Sequence, residues 1–454
     1  MVRRRHAQGS VFELILPDGE KLWTPVLRRI DEVLDDEVLL GVVEEALVTR
    51  RARSRRWGRP GTPAEVVLRM LLLKHLHDWT FDECEREVRA SLLYRAFCRI
   101  GCESVPDAKT LIRLSRVMGP DVLKRMLARV VELGVELKLV RGTKLRVDTT
   151  VVETNVHYPT DSTLLADGVR VLTRTMKKMG VRFRDRTRSV AKRVYEISQL
   201  GRKLIQEKAR VRMQVSYREL MALTRAVVRE AETAAKKLTR AARRATGVSR
   251  IRLRGLASRV EHTVVLVRRV LAQTRARVLK GDTHYKDKLL SLFETHTEAI
   301  RKGKAAKPTE FGKLVKIQEA ERFITDYEVC ATRIPDQDLW APSLAIHNAL
   351  FTRPPRLAAA DAGFASGRNE RVAREMGVRR VVLPVQGKPH ARQRWFRRGL
   401  RWRTGCEGRI STLKRRHGLR RCRYRGPDGM DRWVGLGVIA DNLEVLGRAL
   451  PAKV

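Results

Sequence analysis

The sequence contains no apolar run near the roughly 18 residues that a membrane-spanning helix needs. Residues 1–19 begin with basic side chains but contain no apolar core of the kind found in a secretion signal. Both absences argue against a membrane partner. We therefore expect the protein to be cytoplasmic.

Cysteine is also scarce and irregularly spaced, because the single C-x-x-x-C pair has no matching second pair. The six cysteines are Cys84, Cys98, Cys102, Cys330, Cys406 and Cys422. This pattern argues against a zinc site or a disulfide framework. His75 and His77 would point about 200° apart on a helix, so we interpret them as ordinary polar positions and not as a metal site.

Acidic residues are too few to balance the basic ones. The chain has 95 Lys+Arg against 51 Asp+Glu, a formal net charge of +44. Arginine dominates the basic runs at 51–56, 392–403 and 415–425, and its planar guanidinium suits bidentate contacts with phosphate. The sequence therefore predicts a polyanionic partner, and we favour nucleic acid over a membrane surface or an acidic protein.

Proline is absent from residues 160–307. Within this segment apolar residues recur at steps of three and four, as in a helical seam. The seam residues are Leu220, Leu223, Val227, Ala231, Ala234, Leu238 and Ala241. We predict a basic, coiled-coil-like helical insertion over 164–292, in which a second helical run at 260–279 returns after a break near 247–255.

The first 135 residues are predicted to form a helical domain. Capping-box patterns at 62–65 and 80–83 mark two helix starts, the first with Pro63 as the first helical residue. Asp107 and Pro120 open two further helices. A helix-turn-helix that binds the DNA ends and a packed helical bundle with no DNA role fit this pattern equally well.

Around Asp148 the apolar period changes to two, which predicts a strand with the acid in its middle. A hairpin is predicted from 314–318 and 323–329, followed by a helix at 337–350, a strand at 357–361, a helix at 368–376, a strand at 381–383 and a basic helix at 404–416. This order predicts a mixed α/β sheet over 140–163 and 293–425, with a C-terminal helix in 426–454.

Three acids occupy prominent positions in that plan: Asp148 in the first strand, Asp361 at the end of the fourth, and Glu407 early in the last basic helix. Strand ends form the working edge of an α/β sheet. Carboxylates gathered there require cations, and an all-oxygen set suits magnesium or manganese. Two such ions about 3.5–4 Å apart can drive phosphodiester displacement. Taken singly, each acid is more simply explained as a surface carboxylate.

The residues that flank these acids are a more specific signal of function than the positions of the acids. RVDTT at 146–150, ADAGF at 360–364, and the spacing of Arg403, Glu407 and Lys414 resemble the three acidic motifs of bacterial insertion-sequence DDE transposases, including the YREK signature. The helical segment 60–111 is similar to the N-terminal domain often found before that catalytic core. The whole chain looks closest to the ISNCY-type transposases.

This resemblance implies a ribonuclease-H-like catalytic core that cleaves DNA at the ends of a mobile element and joins them to target DNA. It implies that Asp148, Asp361 and Glu407 are both the catalytic residues and the ligands of two Mg²⁺ or Mn²⁺ ions. The implied partners are the terminal inverted repeats and the target, both double-stranded DNA, with a homodimer on paired ends. The implied location is the bacterial cytoplasm, in association with the nucleoid.

The last basic helix is expected to contact DNA through Arg403, Lys414, Trp402 and Arg409. Helical periodicity places Arg403 and Lys414 within about 40° of Glu407. Leu400 stands where the signature has tyrosine, so the neighbouring Trp402 is the aromatic residue that can replace it. The long insertion also falls between the first two acids, whereas many signature-bearing relatives carry theirs before the glutamate.

Two other functions fit part of this pattern. A nuclease would use the same metal chemistry without strand transfer, because the acids alone do not distinguish water from a 3′-hydroxyl as the nucleophile. A non-catalytic DNA-binding protein derived from a transposase would need the charge and the helices but not the acids. The three intact motifs favour the transposase.

Overall fold

The computed structural model describes residues 1–5, 19–50, 60–203, 205–286, 288–301, 308–384 and 393–449. The basic run at 51–56 and residue 392 lie outside these ranges. The chain forms two compact units. We call Met1–Asn155 with Ile300–Val454 the sheet unit and Val156–Ala299 the insertion unit.

The sheet unit begins with a 3₁₀ turn, Gly19–Leu22, and a series of α-helices. They are α1 (Pro25–Val33), α2 (Glu37–Thr49), α3 (Ala64–Leu76), α4 (Phe81–Ala90), α5 (Leu92–Phe97), α6 (Ala108–Ser115) and α7 (Pro120–Glu136). The predicted starts at Thr80, Asp107 and Pro120 are confirmed, and Thr80 and Glu83 form the predicted capping box. The start at Thr62 is wrong, because Pro63 is the N-cap of α3 and no side chain caps that helix.

These helices share one apolar core with part of the sheet and with the C-terminal helix. Leu71 of α3, Leu127 of α7, Tyr327 and Trp433 all belong to this core. His75 is buried in it, with its ring 4.9 Å from that of Trp433. Burial lowers the pKa of His75 well below its ordinary value, so His75 is a neutral core residue. A domain boundary near residue 135 stays a prediction.

In the described part of the chain, six strands form one mixed sheet. They are β1 (Lys144–Glu153), β2 (Glu298–Arg301), β3 (Thr309–Ala320), β4 (Phe323–Val329), β5 (Leu357–Ala359) and β6 (Arg380–Val382). Their order is β2-β3-β1-β5-β6, and β4 also pairs with β3. Strand β3 runs antiparallel to both β1 and β4, whereas β1, β5 and β6 run parallel. The mixed sheet and its hairpin were predicted; the short strand β2 was not.

Helices cover both faces of the sheet. The side chains of β1 point alternately to the two faces, and each face packs against different helices. Leu145 and Val147 pack with Trp340 of α12 (Trp340–Phe351) and with residues near α13 (Gly367–Glu375). On the other face, Ala359 and Val382 pack against Phe396 of α14. Helix α14 (Arg394–Arg416) begins ten residues before the predicted start, because its first turns also have an apolar surface to cover. Helix α15 (Pro427–Ala449) ends the described chain.

The insertion unit is a helical bundle of α8 (Asp161–Lys178), α9 (Thr187–Gly201), α10 (Glu207–Arg244) and α11 (Gly247–Thr274), followed by a π-helical turn, Arg275–Leu279. The predicted seam packs inside it, with Leu220 and Ala231 fully buried, but Ala241 is exposed and Ala242 is buried in its place. The predicted break near 247–255 is wrong, because these residues belong to α11, which starts at Gly247, and the chain turns at residues 245–246 after α10 ends at Arg244. No helix in the described ranges is long and apolar enough to cross a membrane.

Candidate active site

Asp148 and Asp361 occupy equivalent positions on neighbouring parallel strands. Arg146 of β1 pairs with Ala359 of β5, and each acid lies two residues further along its own chain. Adjacent strands are about 4.8 Å apart. The two acids therefore reach the same level of the sheet, side by side, where β5 ends.

Asp148 lies within β1 and is 8% exposed. The backbone N–H of Thr149 donates to its Oδ1 atom at 2.7 Å. It shares a face of the strand with Arg146, whose Nε donates to Glu319 Oε2 of β3 at 2.9 Å. The acid thus sits beside a buried ion pair, on the face of the sheet that α14 covers.

Asp361 follows β5 and caps a short 3₁₀ turn, Ala362–Phe364, by accepting from the N–H of Gly363 at 2.9 Å. A Cβ atom on Gly363 would lie 3.2 Å from Asp361 Oδ1 and 2.8 Å from Asp336 Oδ2. Glycine keeps this space open. The Asp361 carboxylate therefore has a defined orientation and faces a gap that a larger side chain would fill.

Asp336 is a further carboxylate close to Asp361, and it was not predicted from the sequence. It begins the 3₁₀ turn Asp336–Leu339 that leads into α12, and Thr149 Oγ1 donates to its Oδ1 at 3.1 Å. In the sequence, Pro335-Asp336 before a helix has the ordinary form of a capping signal. Only the fold shows that this aspartate approaches Gly363.

Glu407 lies on α14, which crosses the sheet over Arg146. Its side chain is 63% exposed and pairs with Arg403 Nη2 at 3.2 Å, as the predicted four-residue spacing requires. The preceding residue, Cys406, is fully buried. Burial raises the pKa of that thiol well above its ordinary value, and the charges of Glu319 and Asp148 raise it further.

The three predicted ligands do not form a finished metal site. Within the described ranges, no three His, Cys, Asp or Glu side chains are close enough to hold an ion. The structure brings Asp148 and Asp361 together and places Glu407 on the covering helix, where its carboxylate pairs with Arg403. The donors at this edge are carboxylate oxygens, which suit magnesium or manganese better than zinc.

The four predicted DNA contacts on α14 have different surroundings. The Trp402 ring packs beneath Arg146, whose Cζ is 5.0 Å from the ring centre. Arg409 is mostly buried and pairs with the buried Asp441 of α15 at 3.0 Å. Arg403 pairs with Glu407, and Lys414 is half-buried in the last turn. Their roles in DNA binding stay predictions.

Comparison with known proteins identifies two regions of the chain. A family model described as Transposase domain (DUF772) matches residues 14–116, and one described as Transposase DDE domain matches residues 371–447. The chain belongs to the insertion-sequence transposases. The DDE match to this transposase contains Arg403, Glu407 and Lys414 but ends short of the other two acids on the N-terminal side.

One curated relative of the transposase is described as "Uncharacterized protein ORF8 in nfe locus" from Rhizobium meliloti. It is 30% identical over 142 residues, which is 30% of this chain and 69% of that protein. No solved structure matches the chain. The assignment of Asp148 and Asp361 therefore rests on the sheet register described above.

Proposed function

We propose that this transposase cuts DNA at the ends of its mobile element and joins those ends to target DNA, with Asp148, Asp361 and Glu407 as the catalytic carboxylates. The observation that carries the proposal is the β1–β5 register, which sets two acids side by side under the helix that carries the third. The strand order β4-β3-β1-β5-β6 supports a ribonuclease-H-like core. An ISNCY-type relationship and a nucleoid-associated cytoplasmic location belong to the same proposal.

The proposed site would hold two Mg²⁺ or Mn²⁺ ions, which activate the attacking oxygen and stabilise the leaving oxygen of the phosphodiester. The protein's own part is to position the groups that bind them. The N–H groups of Thr149 and Gly363 orient the Asp148 and Asp361 carboxylates. Glu407 would complete the ligand set, and its carboxylate would then no longer pair with Arg403. Arg403 is then available to contact a phosphate beside the scissile bond.

The partners proposed for this reaction are duplexes that carry the terminal inverted repeats and duplex target DNA. Two ends must be cut and joined together, so we propose that two copies of the chain act as a homodimer on paired ends. The formal net charge of +44 supports a polyanionic substrate.

The test is an assay of cleavage and joining on end-containing duplexes with Mg²⁺ or Mn²⁺. We expect Asp148→Asn and Asp361→Asn to lose both reactions, because one ligand charge is removed, while DNA affinity stays near that of the wild type. Asp338→Asn is the matched control, since Asp338 is an exposed aspartate of the neighbouring 3₁₀ turn.

Full activity in excess chelator would contradict the metal assignment. Wild-type cleavage by either aspartate variant would remove that residue from the site. Cleaved products with no joined products would favour the nuclease, and end binding without cleavage would favour a non-catalytic DNA-binding protein.

A further inference from the structure

An open cleft of about 870 Å³ lies along α14. Its walls are one side of α14, the last turns of α15 and the tight turn between β3 and β4. Gly405, Gly408 and Thr412 form the α14 wall. Because two of these residues are glycines, backbone atoms and not side chains form much of this wall.

This cleft is lined predominantly by arginine. The lining guanidinium groups are those of Arg146, Arg322, Arg409, Arg415, Arg416 and Arg448. The lining carboxylates are fewer, and they are Glu321, Asp441 and Glu444. An open cavity with this imbalance attracts anions, and low-dielectric walls concentrate the positive field inside it.

The acids of the cleft are already bonded within the protein. Asp441 pairs with Arg409 at 3.0 Å, and Glu444 pairs with Arg416 at 3.3 Å and with Arg448. Neither Arg322 nor Arg415 has an acidic partner in the part of the chain that the structure describes. The guanidinium groups of these two arginines therefore line the cleft without a neutralising carboxylate.

The turn that carries Arg322 is conformationally costly. Glu321 and Arg322 have φ values of +49° and +77°, a conformation that two-residue hairpins normally obtain with Asn-Gly. Residues other than glycine persist there only when their surroundings hold them. Glu321 is held, because the N–H of Thr143 donates to its Oε1 at 3.0 Å and Arg141 N–H donates to its Oε2.

The side chain of Arg322 has no comparable structural role, yet the turn presents it to the cleft. Helix dipoles explain some of the other arginines, since Arg415, Arg416 and Arg448 lie in last turns, where cations are favourable. That explanation does not extend to Arg322, which lies on a hairpin.

Glu407 and the α14 wall of the cleft lie on different sides of α14. With about 100° per residue, the cleft residues Gly405, Gly408 and Thr412 are centred roughly 130° from Glu407. Arg403 and Lys414 instead share the direction of Glu407 within about 40°. Arg146 also lines the cleft and lies two residues from Asp148, so the cleft adjoins the candidate active site.

We propose that this arginine cleft is a second DNA-binding surface, which holds the phosphate backbone of a duplex without reading its sequence. The inference rests on the proposed function for the presence of DNA but not on the assignment of the catalytic acids. Guanidinium groups match phosphate oxygens in pairs, and backbone contacts of this kind carry no direct base information. Arg322 and Arg415, which have no acidic partner in the described part of the chain, are the residues that we expect to contact phosphate.

The experiment measures duplex affinity against salt concentration, with no divalent metal present, so that a failure of catalysis cannot mimic its result. The variant is Arg322→Gln with Arg415→Gln. Its control is Arg371→Gln with Arg379→Gln, which removes equal charge at two exposed arginines of the same unit outside the cleft. Each protein is tested on an end-containing duplex and on a scrambled duplex of equal length, after thermal melting shows that the variants fold.

We expect the cleft variant to lower the slope of log K against log salt by about two on both duplexes, because each lost phosphate contact removes about 0.9. The control should leave the slope within error of the wild type. An unchanged slope in the cleft variant, or an equal fall in the control, would overturn the proposal. A loss confined to the end-containing duplex would overturn its sequence-independent character.

Discussion

The two units use their basic residues in different ways. Residues 156–299 contain 34 Lys+Arg against 13 Asp+Glu, and the bundle they form buries a seam of small and aliphatic side chains such as Ala231 and Leu220. In the sheet unit, several cations are themselves buried. Arg69, Arg146 and Lys316 are all nearly inaccessible and pair with carboxylates.

Composition alone therefore does not assign a role to a charged residue. A buried cation whose partner is removed becomes an uncompensated charge, which costs several kcal/mol. An exposed arginine on a helical bundle contributes little to stability but adds to the field that attracts DNA. We therefore expect loss of a partner of a buried cation in the sheet unit to change folding, and loss of exposed arginines in the insertion unit to change DNA binding.

The largest effect should come from Glu407→Gln, which tests whether the sheet unit carries the chemistry. We expect cleavage of end-containing DNA to fall at least about 100-fold, because a charge that stabilises the transition state is lost, while end binding is retained. Glu132→Gln is the control, since Glu132 is an exposed helical glutamate that also pairs with an arginine, Arg129, at 3.2 Å. Equal cleavage by both variants would exclude a catalytic role for Glu407 and would mean that it serves only as an ion-pair partner.

Glu319→Gln tests whether a buried ion pair contributes more to the free energy of unfolding than an exposed one. This change leaves Arg146 buried without its charged partner, and we expect a loss of about 3–5 kcal/mol in the free energy of unfolding. In the insertion unit, Glu232→Gln breaks a more exposed pair with Arg268 and should cost about 0–1 kcal/mol. Denaturant titration measures both, and similar losses would erase the distinction.

The sheet unit should also be the more sensitive to acid. Burial lowers the pKa of His347 from 6.5 to about 4. The unfolded chain therefore binds more protons between these values, and stability falls as the pH drops through that window. His347→Gln should reduce the loss of unfolding free energy between pH 7 and pH 4 by about 3 kcal/mol at most. The exposed control His262→Gln should leave the pH profile unchanged.

A triple substitution in the insertion unit tests the other half of the comparison. Arg225→Gln, Arg229→Gln and Arg240→Gln remove three exposed charges from α10. If this face contacts DNA backbone, the salt slope of binding should fall by up to about three, and thermal stability should change little. An unchanged slope, measured by titration on duplex DNA, would leave the insertion with a structural role alone.

The smallest effect is expected for Lys414→Ala. We predict weaker end binding, with a salt slope lower by about one, and a fall in cleavage less severe than that of Glu407→Gln. Lys414→Arg keeps the charge and should retain most of the binding. Wild-type binding and cleavage by Lys414→Ala would make its match to the signature a coincidence.

Much of the local structure could be predicted from the sequence because its causes lie within a few residues. Alternation around Asp148 predicted β1, and Thr80 with Glu83 formed the predicted cap. The apolar seam of α10 was read from spacing with one error, at Ala241. The start at Thr62 failed because a capping pattern does not ensure that its side chain reaches the helix, and here Pro63 is the cap.

The candidate site was only partly predictable. The sequence indicated Asp148, Asp361 and Glu407, and their roles stay predictions. It gave no sign that Asp336 would approach Gly363, or that Arg409 would pair with Asp441. Those contacts join residues more than 25 positions apart, and no spacing rule covers such distances.

Composition and local sequence are enough to predict the charge of this protein, most of its strands and helices, and the motifs of its family, because each depends on composition or on neighbours along the chain. Tertiary packing is needed to show which acids share an edge of the sheet, which arginines are neutralised, and which side of α14 lines the arginine cleft, because burial and pairing depend on how distant segments pack. An arginine can therefore be a buried structural ion, as at position 146, or an unneutralised one, as at position 322.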